Sequence, residues 1–293
     1  MFSILRNSLL CVCAAASLCA EEGINPVSQE YQKGMHFFDK GNYKKCVKIL
    51  KKIIKKNPNV TDLGRIQVQI GKTYEAMKKY KKAFKAYEVI FRKYLEYPNP
   101  EEIIEREYQI AEKYSSGQIK KILGMDFHEN NKTALEIYDR VIKNAPFGPY
   151  AQPAFLKSIH ILIKTKQFKE ADEKISLFKK AYENSSHLDE IYYLDGYNEY
   201  LQIKRSDYDQ TRTVRAVEKF RDYLKRYPTG EFYDKAKELL HEVSKTKCEN
   251  DLKTAEFYLK QGNREAANKY YQSIIKDFPD TEWANEAQKR LLG

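Results

Sequence analysis

The sequence predicts an all-α chain, a superhelix of about six helical hairpins closed by a final helix. Three observations carry this. Glycine (12) and proline (9) are scarce for 293 residues, and charged residues reach 32%. That composition suits long exposed helices and not a sheet sandwich, which needs many turns. Tyrosine is abundant at 23; between helices its ring buries apolar area while its hydroxyl still reaches a polar partner. Finally, small and aromatic residues return at one fixed spacing along most of the chain.

Residues 1–20 stand apart. Arg6 is followed by the apolar run Ser8–Leu18, then small residues and Glu21-Glu22, the layout of an export signal. The run is shorter than the ~20 apolar residues of a membrane-spanning helix. Two endings stay open: cleavage after Ala20, or lipid attachment at Cys19. Export also takes the chain away from nucleic acid, which its net charge of +11 would otherwise suggest. Beyond this segment Cys46 and Cys248 remain. They sit in different repeats about two hundred residues apart, too far for a disulfide in an elongated stack, and read as free thiols.

The repeat begins at Gly34, with Phe37, Cys46, Leu50, Ile53 and Pro58 after it. The same ruler fits Gly71, Tyr74, Ala83, Tyr87 and Ile90, with Pro98 late, and Ala255, Tyr258, Ala267, Tyr271, Ile274 and Pro279. Its second half recurs at Ala134, Tyr138, Val141 and Pro146 and at Ala216, Phe220, Tyr223 and Pro228. A weaker copy surrounds Ala171, Ile175 and Phe178. This is the tetratricopeptide spacing. Small residues let two antiparallel helices approach, aromatics fill the holes between hairpins at about 1.5–3 kcal/mol per buried ring, and proline ends the second helix. Lys40–Tyr43 and Lys260–Asn263 read as intra-hairpin turns with glycine in the left-handed position.

Six hairpins are expected to begin near residues 28, 63, 103, 151, 188 and 251, with Glu282–Leu292 closing the stack. Residues 28–100 form two N-terminal repeats, 101–146 a third repeat with an insertion, and 147–293 the rest. Ser115–Asn131 lengthens the third hairpin and Gln202–Thr213 the fifth; loops of that length inside a tight stack tend to be functional. Asn144–Phe155 (NAPFGPYAQPAF) reads as a junction. Pro146 ends one hairpin, Phe147 and Tyr150 are expected to cap the seam, Gly148-Pro149 turn the chain, and Pro153 sits in the first turn of the next helix.

Three stretches resemble the BamD family of outer-membrane assembly lipoproteins of Gram-negative bacteria. They are PFGPYAQ at the junction, Tyr192–Thr211 (YYLDGYNEYLQIKRSDYDQT) and Ala255–Ala287. The resemblance runs from about Asn131 to Leu292. It implies a periplasmic scaffold of β-barrel assembly, close to the inner face of the outer membrane. The C-terminal half would dock on the barrel-forming assembly subunit, and the N-terminal half would help receive unfolded outer-membrane proteins. Arg205, Asp207 and Asp209 match the family's loop near that docking surface. Family members start their first repeat soon after a lipidated cysteine; here two more repeats come first.

No catalytic, cofactor or metal motif is expected. His36, His128, His160, His187 and His241 lack helical metal spacing, and the chain holds neither a glycine-rich phosphate loop nor a Gly-x-Ser-x-Gly elbow. Lys44–Lys56 has an apolar stripe of Cys46, Ile49, Leu50 and Ile53 under seven lysines. It reads either as the solvated face of a core helix or as a patch meeting anionic lipid heads of the membrane surface or an acidic partner. In the doublets Tyr192-Tyr193 and Tyr270-Tyr271, one ring of each is expected in the seam. The reading is a non-catalytic assembly scaffold; the alternatives are an adaptor of another envelope machine, such as cell-wall synthesis, or a peptide-binding chaperone.

Overall fold

A computed structural model describes residues 26–60, 62–119, 127–203, 210–279 and 281–292. The described residues are helical, with no strand. The chain divides into two compact units, Met1–Ile110 and Ala111–Gly293.

The first unit holds α1 (Pro26–Asp39), α2 (Tyr43–Lys56), α3 (Leu63–Ala76), α4 (Tyr80–Tyr87), α5 (Ile90–Lys93) and most of α6 (Pro100–Ser115). Backbone angles stay helical at Glu88 and Val89, so α4 and α5 act as one second helix. Cys46, Leu50, Ile53, Ile66 and Ile70 form its core with Phe37 and Tyr74 against them. The ruler is steric. A Cβ on Gly71 would lie 2.2 Å from Tyr87 Cε1, so only glycine lets the ring lie across the first helix. Tyr87 then donates its hydroxyl to Glu75, and Arg106 Nη1 holds the same carboxylate at 3.2 Å.

The second unit continues with α7 (Phe127–Asn144), α8 (Ala151–Lys164), α9 (Phe168–Ala181), α10 (Leu188–Ile203), α11 (Gln210–Arg226), α12 (Tyr233–Lys260), α13 (Arg264–Asp277) and α14 (Glu282–Leu292). Its core runs without a break from Ala151 through Phe178, Phe220 and Tyr223 to Tyr271 and Ala287. Gly196 repeats the role of Gly71, because a Cβ there would meet Phe220 at 2.8 Å.

The turns inside four hairpins share one geometry. Gly41, Lys78, Lys166 and Gly262 take positive φ of 73°, 56°, 62° and 76°. In each, the next amide reaches back to close the first helix: Asn42 to Phe37 O, Lys79 to Tyr74 O, Gln167 to Leu162 O and Asn263 to Tyr258 O, at 2.8–2.9 Å. Glycine appears at only two of the four positions, so lysine accepts the left-handed strain at the others.

Three expectations need correction. The sixth hairpin does not start near 251. Nothing between Tyr233 and Lys260 breaks a helix, so α12 runs through 28 residues and serves two neighbours. Its first half meets α10 through Tyr200 and Glu242 (2.8 Å), and its second half meets α13 through Tyr258 and Tyr270 (5.8 Å). The outer bounds of the inserts move, since residues 127–131 belong to α7, 202–203 to α10 and 210–213 to α11. Phe147 caps nothing: it is 89% exposed. Tyr182 takes that place, donating its hydroxyl to Pro146 O at 2.5 Å while its ring meets Phe155 and Phe178.

Candidate functional site

The lengthened fifth hairpin, α10 and α11, is rooted in a half-buried charge network around the buried Glu199. Lys219 Nζ on α11 lies 2.7 Å from Asp195 Oδ1, 3.1 Å from Glu199 Oε1 and 3.8 Å from Asp172 Oδ1. Lys179 of α9 reaches the other oxygen of Asp195 at 2.5 Å, and Arg212 reaches Glu199 at 3.4 Å. Asn198 donates to Phe168 O at 2.9 Å and to Asp172 Oδ1 at 2.7 Å. Three carboxylates thus face three cations across α9, α10 and α11.

Glu199 is only 2% exposed, a burial that a carboxylate tolerates when paired. Burial works against the charge of Lys219, but Asp195, Glu199 and Asp172 outweigh it and raise its pKa. Burial raises the Asp172 pKa, with Glu199 and Asp195 adding to it and Lys219 and Asn198 opposing. The Arg212–Glu199 pair thus ties the start of α11 to α10.

Beside it runs an aromatic face. Tyr193 is buried and stacks on Phe232 at 4.6 Å and Tyr197 at 5.8 Å; burial pushes its hydroxyl pKa up to about 12. Tyr192 is half-buried, with Lys179 Nζ 3.8 Å and Arg226 Cζ 4.9 Å from its ring centre. Each doublet divides as expected, with Tyr193 and Tyr271 in the seam and Tyr192 and Tyr270 half-exposed. Tyr223 donates to Asp189 Oδ1 at 2.6 Å, and the amides of Glu231 and Phe232 complete the cluster at 2.9 and 3.1 Å. These bonds tie the start of α10 to the end of α11 and the segment after it.

The loop residues Arg205, Asp207 and Asp209 lie outside the described residues, as do Cys19, Ala20 and the whole segment 1–20, the insert core 120–126 and the side chain of His128. The network at their base escaped sequence reading. Its visible signal is the set Asp195, Asn198 and Glu199 inside the tyrosine-rich helix α10. Among the described residues no group of three or more His, Cys, Asp or Glu could hold a metal ion. Cys46 and Cys248 are free and fully buried; burial raises both thiol pKa values, Cys248 to about 12.

Comparison with known proteins falls on the same hairpins. Residues 127–292 match the family described as YfiO, outer membrane lipoprotein. The Vibrio cholerae outer membrane protein assembly factor BamD is 27% identical over 53% of this chain and 68% of its own length. The Rickettsia prowazekii factor of the same name is 23% identical over 55% and 64%. Among solved structures, a tetratricopeptide repeat protein from Parabacteroides merdae aligns with 91% of this chain and 99% of its own at 14% identity, with a TM-score of 0.34. The match takes in the junction, the long hairpin and the last repeat, the three stretches whose residues already showed the likeness, and the chain belongs to the YfiO family of outer membrane lipoproteins.

Proposed function

We propose that the chain is a non-catalytic periplasmic scaffold in the assembly of outer-membrane β-barrel proteins, working close to the inner face of the outer membrane. The observation that carries this is the match over residues 127–292 to a family whose curated relatives are named as outer membrane protein assembly factors. The second unit supports it physically. Ion pairs of Lys219 with Asp195 and Glu199, and of Arg212 with Glu199, tie α10 to α11, the two helices that precede and follow Arg205, Asp207 and Asp209 in the chain. The segment carrying those three residues is proposed to meet the barrel-forming assembly subunit. Unfolded outer-membrane proteins are the proposed clients.

Affinity capture of the tagged chain from gently cross-linked envelopes, with partners identified by mass spectrometry, tests the reading. A barrel-bearing assembly subunit is expected as the dominant partner in stoichiometric amount. A cell-wall enzyme in that position, or only unfolded chains at low occupancy, overturns it in favour of an adaptor or a chaperone.

A further inference from the structure

The first unit has a charge distribution that packing does not explain. Residues 33–93 hold sixteen lysines and two arginines against four acidic residues, a surplus larger than the +11 of the whole chain. Lys44, Lys48, Lys55 and Lys56 on α2 are exposed and make no ion pair with a described residue; the α2 lysine that does, Lys52, holds Glu30 loosely at 3.7 Å. This surplus lies outside the family-matched segment.

The fold gathers part of it at one end. The α1–α2 turn carries Lys40, Lys44 and Lys45; the α3–α4 turn carries Lys78, Lys79, Lys81 and Lys82. All seven are exposed, and neither stretch contains an acidic residue. The turns are neighbours, because Met77 lines one open depression of about 470 Å³ with Lys40, Gly41, Asn42, Tyr43 and Lys44. Lysines 44, 45, 81 and 82 also occupy the first turns of α2 and α4, where the helix dipole disfavours a cation by about 0.3–1 kcal/mol. Stability of the unit alone does not account for them there.

We propose that this turn end of the first two hairpins is an electrostatic docking surface for a membrane bearing anionic phospholipids. Lysine suits such a partner: a flexible point charge gains from a diffuse layer of headgroup phosphates, about 1 kcal/mol each near the surface. Recognition of a nucleic acid or a phosphopeptide favours the planar fork of arginine, of which this region has two against sixteen lysines. The choice of a membrane over an acidic protein rests on the envelope location proposed above.

The test is co-sedimentation of the full chain with phosphatidylcholine vesicles, with and without phosphatidylglycerol, at low and high salt. Binding is expected only with phosphatidylglycerol and is expected to fall as salt rises. Changing Lys44, Lys45, Lys81 and Lys82 together to Gln should lower the partition coefficient on the order of a thousandfold. A control changing Lys237, Lys253, Lys260 and Lys276 to Gln removes the same charge from exposed sites of the second unit and should bind like the parent. Circular dichroism shows that each variant keeps its helices. Equal binding to neutral vesicles, equal loss in both variants, or retention on duplex DNA at salt that releases the vesicles overturns the proposal. No assembly subunit is present in the vesicles, so failure here is separate from failure of the capture experiment.

Discussion

The two units are built on one ruler but place their charges differently. Gly71 under Tyr87 in the first and Gly196 under Phe220 in the second are the same contact. The second helices start differently. α2 and α4 open with lysine pairs and no acid, whereas α9 and α13 open with Glu170 and Glu265, the sign that suits a helix N-terminus. The first unit pairs Lys72 and Arg106 with Glu102 and Glu75 but leaves most of its lysines exposed. The second draws Lys219, Lys179 and Arg212 inward against three carboxylates. Packing positions are thus common to the repeats, while charge is free to vary between the units.

The comparison can be broken most severely at the Lys219 network. Lys219→Ala leaves Asp195 and the buried Glu199 facing each other with less compensation, and should cost about 2 kcal/mol in urea unfolding, less than the loss of a fully buried partner. Lys44→Ala in the first unit should change stability by less than about 0.5 kcal/mol. A network substitution as mild as the surface one would show that the charges of the second unit do not hold its hairpin.

Gly71→Ala and Gly196→Ala should each cost about 2 kcal/mol through overpacking against Tyr87 and Phe220. Similar losses in both would support the shared ruler; a loss in only one would divide the units at the level of packing as well.

Raised pH should weaken both units. The buried thiols and Tyr193 keep their protons in the fold after the unfolded chain has begun to release them, from about pH 9 for cysteine and 10 for tyrosine. The folded state then binds more protons, so stability falls as pH rises through this range. Thermal melts between pH 7 and 11 check the sign, and a thiol reagent should label Cys46 and Cys248 only after unfolding.

The smallest effect lies in the turns. Lys78→Gly and Lys166→Gly should stabilise by about 0.5–1 kcal/mol, since each lysine sits at positive φ where Gly41 and Gly262 serve in the other hairpins.

Much of the fold was legible because steric rules act over a fixed spacing. Tyr87, Tyr138, Tyr223 and Tyr271 are all fully buried where the ruler placed them, and α14 has the expected limits. The length of α12 was not legible from the ruler, since a repeat pattern marks hairpins and not a helix shared by two of them. Phe147 and Tyr182 show a second limit: hydrophobicity says that a ring wants cover, but which ring gets it depends on the Pro146 carbonyl, which Tyr182 can reach. The network around Lys219 joins residues from 172 to 219, and no local pattern records that proximity.

The most direct test of the division between units is photo-crosslinking in living cells, with a photoreactive residue in place of Arg205 in the second unit and of Lys44 in the first. The account predicts a discrete adduct with a barrel-bearing assembly subunit at position 205, and no such adduct at 44. A subunit adduct at 44 with none at 205 would contradict it.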